Sequence, residues 1–166
     1  SLILFLAGVP FFVLGYDHYV YLIAGVIITQ FAYVLDCSDG ELARYKKMTS
    51  ALGAWLDSVF DRIKEAAVFF SMTLNVYLKT GDSRMIFIGF GAFINVIIAG
   101  YITDTKIHLN LKKTDSLANI GSKYLIGLVE IVVFGVAFAA LADKFEYLLW
   151  FFCAMGPFMW IYQIFK

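Results

Sequence analysis

Long apolar blocks alternate with short polar breaks along the chain, and the breaks divide it into six predicted helices. The first covers Ser1–Leu14 and ends at Gly15-Tyr16-Asp17-His18. The second runs over Tyr19–Lys46. The third runs over Ser50–Leu78 and stops at Lys79-Thr80-Gly81-Asp82. The fourth spans Ser83–Asp104, and a polar stretch, Thr105–Ile120, follows. The fifth covers Gly121–Ala142 and the sixth Tyr147–Phe165. At ~1.5 Å per residue the second and third helices outrun the ~30 Å hydrocarbon core of a bilayer. Their surplus lies around Arg44–Ser50, which is expected to project past the hydrocarbon or to force a tilt. The first helix would reach only ~21 Å, so it is expected to be the visible part of a longer helix that begins upstream of Ser1.

Composition strengthens this picture. Hydrophobic residues make up 61% of the 166 and charged ones only 16%, against about 25% charged in soluble domains. The expected class is all-α: a polytopic membrane protein with six transmembrane helices around a cytoplasm-facing polar cavity, filling residues 1–166 as one domain. The N-terminal residues have no basic n-region, so they do not read as a signal peptide. The formal charge is zero, and no basic stripe is present to neutralise a nucleic-acid backbone. Arg44, Lys46, Lys47, Lys106, Lys112, Lys113, Lys123 and Lys166 fall on one side of the predicted spans. Lys79, Arg84 and Lys144 fall on the other. The positive-inside rule puts the first group, and both ends of an even helix count, in the cytoplasm. Cys37 and Cys153 lie in apolar runs and read as free buried thiols.

Within this apolar frame, Asp36, Asp39, Asp57 and Asp61 stand out. Residues three or four apart share a helix face, so Asp36 and Asp39 share one face of the second helix and Asp57 and Asp61 one face of the third. The turn near Thr49-Ser50 is expected to make these helices antiparallel neighbours, with both pairs at similar depth. A carboxylate facing lipid costs ~2.5–3.5 kcal/mol at mid-bilayer, and converging carboxylates repel unless a cation intervenes. All-oxygen donors select hard ions such as Mg²⁺, Mn²⁺ or Ca²⁺, and four carboxylates can hold two. Gly40 and Gly53 each cost ~1 kcal/mol against alanine inside a helix and suit a place where a ligand comes close. Ala43 keeps the same face small, and Arg44 supplies a fixed cation where a pyrophosphate would lie.

The full run is Asp36, two residues, Asp39-Gly40, two residues, Ala43-Arg44, eight residues, Gly53, three residues, Asp57, three residues, Asp61. It resembles the signature of the CDP-alcohol phosphotransferase family at every defined position, and the six-helix layout and charge bias are similar too. The resemblance implies transfer of a substituted phosphate from a CDP-alcohol donor to a hydroxyl acceptor with release of CMP. It implies a two-ion site for Mg²⁺, with Mn²⁺ as a substitute, on Asp36, Asp39, Asp57 and Asp61, the last also acting as general base. Asp39, Gly40, Ala43, Arg44 and Gly53 would line the CDP site. It further implies a homodimer in the cell membrane with the active site facing the cytoplasm. The text around Gly40 and Gly53, and Asp61-Arg62, is similar to prokaryotic members with a soluble nucleotidyltransferase-like domain ahead of the membrane domain, some of which use inositol phosphate; a phospholipid-making member is the equal alternative. For an acceptor phosphate Lys123 is the first candidate cation, with Arg62, Lys64 and Lys106 beside it.

Two other readings stay open at this point. Intramembrane carboxylates also mark ion or metal transporters, which would move metal across liposomes without forming CMP. Arg62 and Lys64 can also be read as partners of Asp61 and Glu65, or as snorkelling cations. Asn95, Gly89 and Gly91 read as helix packing rather than chemistry.

Overall fold

The computed structural model describes residues 1–48, 50–108 and 128–165. These form six α-helices: α1 Leu2–Leu14, α2 Tyr19–Tyr45, α3 Ala51–Thr80, α4 Arg84–His108, α5 Leu128–Leu141 and α6 Phe145–Phe165. The sequence-derived ends agree to within a few residues. α4 runs four residues past Asp104 into the expected polar stretch, and the expected start of the fifth helix lies outside the described residues. By length and composition, α2 and the Arg84–Thr103 part of α4 can cross a bilayer, whereas α1 and Ile131–Leu141 of α5 are apolar but shorter.

The helices stop where the backbone can turn. At the end of α2 the Met48 N–H donates to the Ala43 carbonyl and that of Lys47 to Arg44, with Lys47 in the left-handed region at φ 54°. This is the Schellman arrangement. The Ser50 hydroxyl then accepts from the Gly53 N–H at 3.0 Å, which caps the start of α3. Gly81, at φ 67°, ends α3. The α5–α6 turn repeats the α2 device with Asp143 at φ 56°.

α1 occupies a central place. It packs on both α2 and α3, while α2 and α3 make little direct contact. The two helices expected as antiparallel neighbours are thus linked mainly through α1. Gly8 and Gly25 allow the α1–α2 approach: a Cβ on Gly25 would crowd the Phe12 ring, and one on Gly8 would crowd Thr29. α1 is joined to α3 by the Asn75 side-chain amide, which donates to the Phe12 carbonyl at 2.8 Å. Phe12 lies in the last turn of α1, where carbonyls lack helical partners.

α4 and α6 form the most extensive pair. Pro157 inside α6 has no N–H to offer the Cys153 carbonyl. Asn95 of α4 supplies the missing donor, at 3.1 Å to Cys153 and 3.2 Å to Phe152, and accepts from the Trp160 indole at 3.2 Å. Gly156 leaves the space that Asn95 fills, Gly89 accommodates Thr73, and Gly91 faces Cys153. The packing role expected of Asn95, Gly89 and Gly91 is what these contacts describe. Cys153 is half-buried, but Cys37 is exposed, which corrects its reading as a buried thiol. No α2 residue beyond Ala32 is buried, so that face has no helix over it among the described residues.

The buried core joins Phe12, Leu22, Phe69, Met72, Val96, Val136, Leu149 and Phe152. It lies toward the end of the molecule that carries the α3–α4 and α5–α6 turns. There Lys79 pairs with Asp143, and the Tyr19 hydroxyl donates to the Leu141 carbonyl at 2.6 Å. The other end, around the α2–α3 turn, holds the aspartates.

Candidate active site

Helical register fixes the depth of each carboxylate. Asp36 and Asp39 lie nine and six residues before the end of α2, and Asp57 and Asp61 six and ten residues after the start of α3. At ~1.5 Å per residue this matches Asp39 with Asp57, and Asp36 with Asp61, to within about 2 Å along the helices. Side-chain contacts bear out the deeper pairing. The Lys64 ammonium lies 2.7 Å from Asp36 Oδ2 and 3.0 Å from Asp61 Oδ1. Its reach from α3 to α2 crosses the gap that α1 keeps between them.

The site is only partly open. The Lys64, Asp36 and Asp61 side chains are 12%, 25% and 24% exposed. The Ser1 hydroxyl donates to Asp36 Oδ1 at 2.6 Å, so both oxygens of Asp36 are engaged. On the inner side a cavity of about 40 Å³ is lined by Asp36, Asp61, Lys64 and Glu65 together with Gln30 and apolar residues such as Phe5 and Val133. This volume holds a few waters and no nucleotide, so a large substrate has to approach from the open side.

That side carries the remaining motif residues. Asp39, Arg44, Gly53 and Asp57 are exposed, and Gly40 and Ala43 are half-buried. Asp57 feels the charges of Asp61, Asp36, Lys64 and Arg44. A Cβ on Gly40 would meet the Arg44 guanidinium at an ordinary 3.6 Å. A Cβ on Gly53 would meet the Ser50 hydroxyl and no other described residue within contact range. Among the described residues neither glycine packs against another helix, unlike Gly8, Gly25, Gly89 and Gly156.

Arg62 lies elsewhere. Its guanidinium contacts Glu65 at 2.9 Å and fills the space left by Gly100 of α4. The acceptor cation expected at Arg62 is thus committed to a largely buried ion pair within α3 that lies against Gly100 of α4. Lys123 lies outside the described residues, as do Lys112 and Lys113. Two contributors went unforeseen: Ser1, whose partner is 35 positions away in sequence, and the bridging role of Lys64. The three-residue spacing of Asp61 and Lys64 signalled their pairing. Nothing in the sequence gave the distance from Lys64 to Asp36.

Whether the carboxylates suit divalent ions can be judged from this arrangement. Asp36 and Asp61 already share one cation, the Lys64 ammonium, and the donors are all oxygen, as hard ions require. Among the described residues no three metal-ligating side chains stand close enough to share an ion as they are, since Asp39 and Asp57 lie further out. The chemistry of the donor set fits such ions.

Comparison with known proteins bears on this geometry. The family model described as CDP-alcohol phosphatidyltransferase matches residues 1–164. The chain is 38% identical over 80 residues to a bifunctional IPC transferase and DIPP synthase of Aquifex aeolicus, a match taking in 48% of this chain and 18% of that protein. It is 31% identical over 78 residues to the protein of the same name from Thermococcus kodakarensis, covering 47% of this chain and 17% of that one. An archaetidylinositol phosphate synthase of Pyrococcus horikoshii is 34% identical over 68 residues, covering 41% of this chain and 36% of the relative. The chain thus spans well under half the length of each of these relatives.

Proposed function

The chain belongs to the CDP-alcohol phosphatidyltransferase family, and from that premise we propose that it moves a substituted phosphate from a CDP-alcohol to an acceptor hydroxyl and releases CMP. The observation that carries this reading is the spacing of the motif on α2 and α3, with Asp36 and Asp61 meeting on one cation. Asp36, Asp39, Asp57 and Asp61 would hold two Mg²⁺ ions. When bound, the ions offset negative charge on the phosphoryl oxygens. Arg44 and the small Gly40, Ala43 and Gly53 admit the CDP moiety from the open side. Asp61 accepts the proton of the acceptor hydroxyl. The acceptor oxygen forms its bond to the β-phosphorus as the bond to CMP breaks, and the proton on Asp61 passes to solvent.

We assign the acceptor to the inositol phosphate class, because the Pyrococcus relative is named for an inositol phosphate product. Lys123 is the proposed cation for its phosphate. We read all six helices as membrane spans, with the α2–α3 turn and its exposed Arg44, Lys46 and Lys47 on the cytoplasmic side, and the protein as a homodimer. An upstream soluble domain is proposed by analogy with the longer relatives. An acceptor screen on the full-length protein with a CDP-alcohol and Mg²⁺ tests the assignment. CMP release should be highest with inositol phosphate and low with serine, glycerol phosphate or free inositol. Equal release with all four would overturn the acceptor class, and unchanged release in Asp57→Asn would overturn the reaction assignment.

A further inference from the structure

We propose that Lys64 is a built-in counter-ion of the carboxylate cluster, holding Asp36 and Asp61 together and competing with divalent ions for their oxygens. The inference rests on the metal reading above and goes beyond it. Lys64 is the cation that touches carboxylates of both helices, at 2.7 Å on α2 and 3.0 Å on α3. Its side chain is 12% exposed, so this is not a solvated surface pair of little consequence. Since α1 keeps α2 and α3 apart, these contacts are a direct link across the gap at this depth.

Without a cation the cluster would be unfavourable. Asp57 adds its charge close to Asp36 and Asp61, and unscreened like charges in a partly buried site repel strongly. One ammonium offsets part of that charge. A divalent ion needs the same carboxylate oxygens as ligands, so ammonium and ion compete for them. Lysine is suited to yield, because its charge rides on a flexible four-carbon stem. The open side of the site, where Asp36 and Asp61 are about a quarter exposed, gives the ammonium room to move away. Its withdrawal would also free Asp61 Oδ1, the oxygen it now occupies, for the acceptor proton.

A lysine that merely braced the fold would be missed equally with and without metal. A counter-ion would be missed mainly without it, and its loss would strengthen ion binding. Mn²⁺ titration by electron paramagnetic resonance, on full-length protein in detergent, separates these roles when combined with thermal unfolding in EDTA and in Mn²⁺. Lys64→Met should bind Mn²⁺ about tenfold more tightly than the wild type. It should unfold at a lower temperature in EDTA and gain more from Mn²⁺. Lys64→Arg, which keeps the charge, should stay near the wild-type affinity. If Lys64→Met does not fold, Lys64→Gln carries the same expectation. Equal or weaker Mn²⁺ binding by the uncharged variant, beside a wild type that binds, would overturn the counter-ion role and leave the metal site standing. A wild type that binds no Mn²⁺ would overturn both.

Discussion

The two ends of this helical bundle are built on opposite rules. Toward the α3–α4 and α5–α6 turns the helices are close-packed, with Phe12, Phe69, Met72, Leu149 and Phe152 almost fully buried. Their glycines lie where one helix meets another, and their polar side chains complete a neighbour's backbone: Asn75 the Phe12 carbonyl, Asn95 the Cys153 carbonyl. Toward the α2–α3 turn, no described residue of α2 after Ala32, or of α3 before Glu65, is buried. There Gly40 and Gly53 meet no neighbouring helix among the described residues, and one lysine holds Asp36 and Asp61. The comparison shows that a glycine's meaning depends on what a Cβ would strike. Gly25 and Gly156 are required by packing, whereas Gly40 and Gly53 leave room that no described residue fills.

This contrast predicts that mutations at the two ends fail differently. The largest effect is expected at Asp61→Asn, which should cut CMP release by about 10²–10⁴-fold and leave the unfolding midpoint nearly unchanged. Phe69→Ala should do the reverse. It empties a fully buried position and should cost about 3–5 kcal/mol, read by unfolding in detergent, with turnover per folded molecule preserved. The glycines sharpen the comparison further. Gly100→Leu drives a side chain into the Arg62 guanidinium and should cost about 1–3 kcal/mol. Gly40→Ala should hold or raise stability by up to ~1 kcal/mol, yet raise KM for the CDP-alcohol. A Gly40→Ala variant that unfolds early while keeping its KM would break the distinction. The smallest effect is expected for Asn95→Leu, about 1 kcal/mol from the carbonyls left beside Pro157, with the catalytic rate intact.

Much of this architecture was legible in the sequence, for identifiable reasons. Polar breaks must interrupt long apolar helices, so the ends of α1, α2 and α3 and the start of α6 fell within a few residues of Gly15, Lys46, Thr80 and Tyr147. The aspartates were legible because carboxylates are costly in an apolar chain and their three- and four-residue spacings fix a shared face. Tertiary placement was not legible. Two long helices joined by a short turn read as packed neighbours, yet α1 is packed on both of them and separates them. Cys37 read as buried because α2 is apolar as a whole, but it lies between Asp36 and Ser38 and no described helix covers that face. Arg62 and Lys64, two residues apart, offered the same choices on paper. Only the fold sends one to Glu65 and Gly100 and the other to Asp36 and Asp61. The Asn95–Cys153 bond could have been suspected from Pro157, which leaves a carbonyl without its donor, but its partner helix could not.

The central claim is that the open end turns a CDP-alcohol into CMP through its aspartates. The most direct test is CMP formation by the full-length protein given a CDP-alcohol and inositol phosphate, with and without Mg²⁺, for the wild type and Asp61→Asn. The account predicts CMP that requires Mg²⁺, the acceptor and Asp61 together. Transport of divalent metal across liposomes by the wild type, with no CMP under any of these conditions, would contradict it.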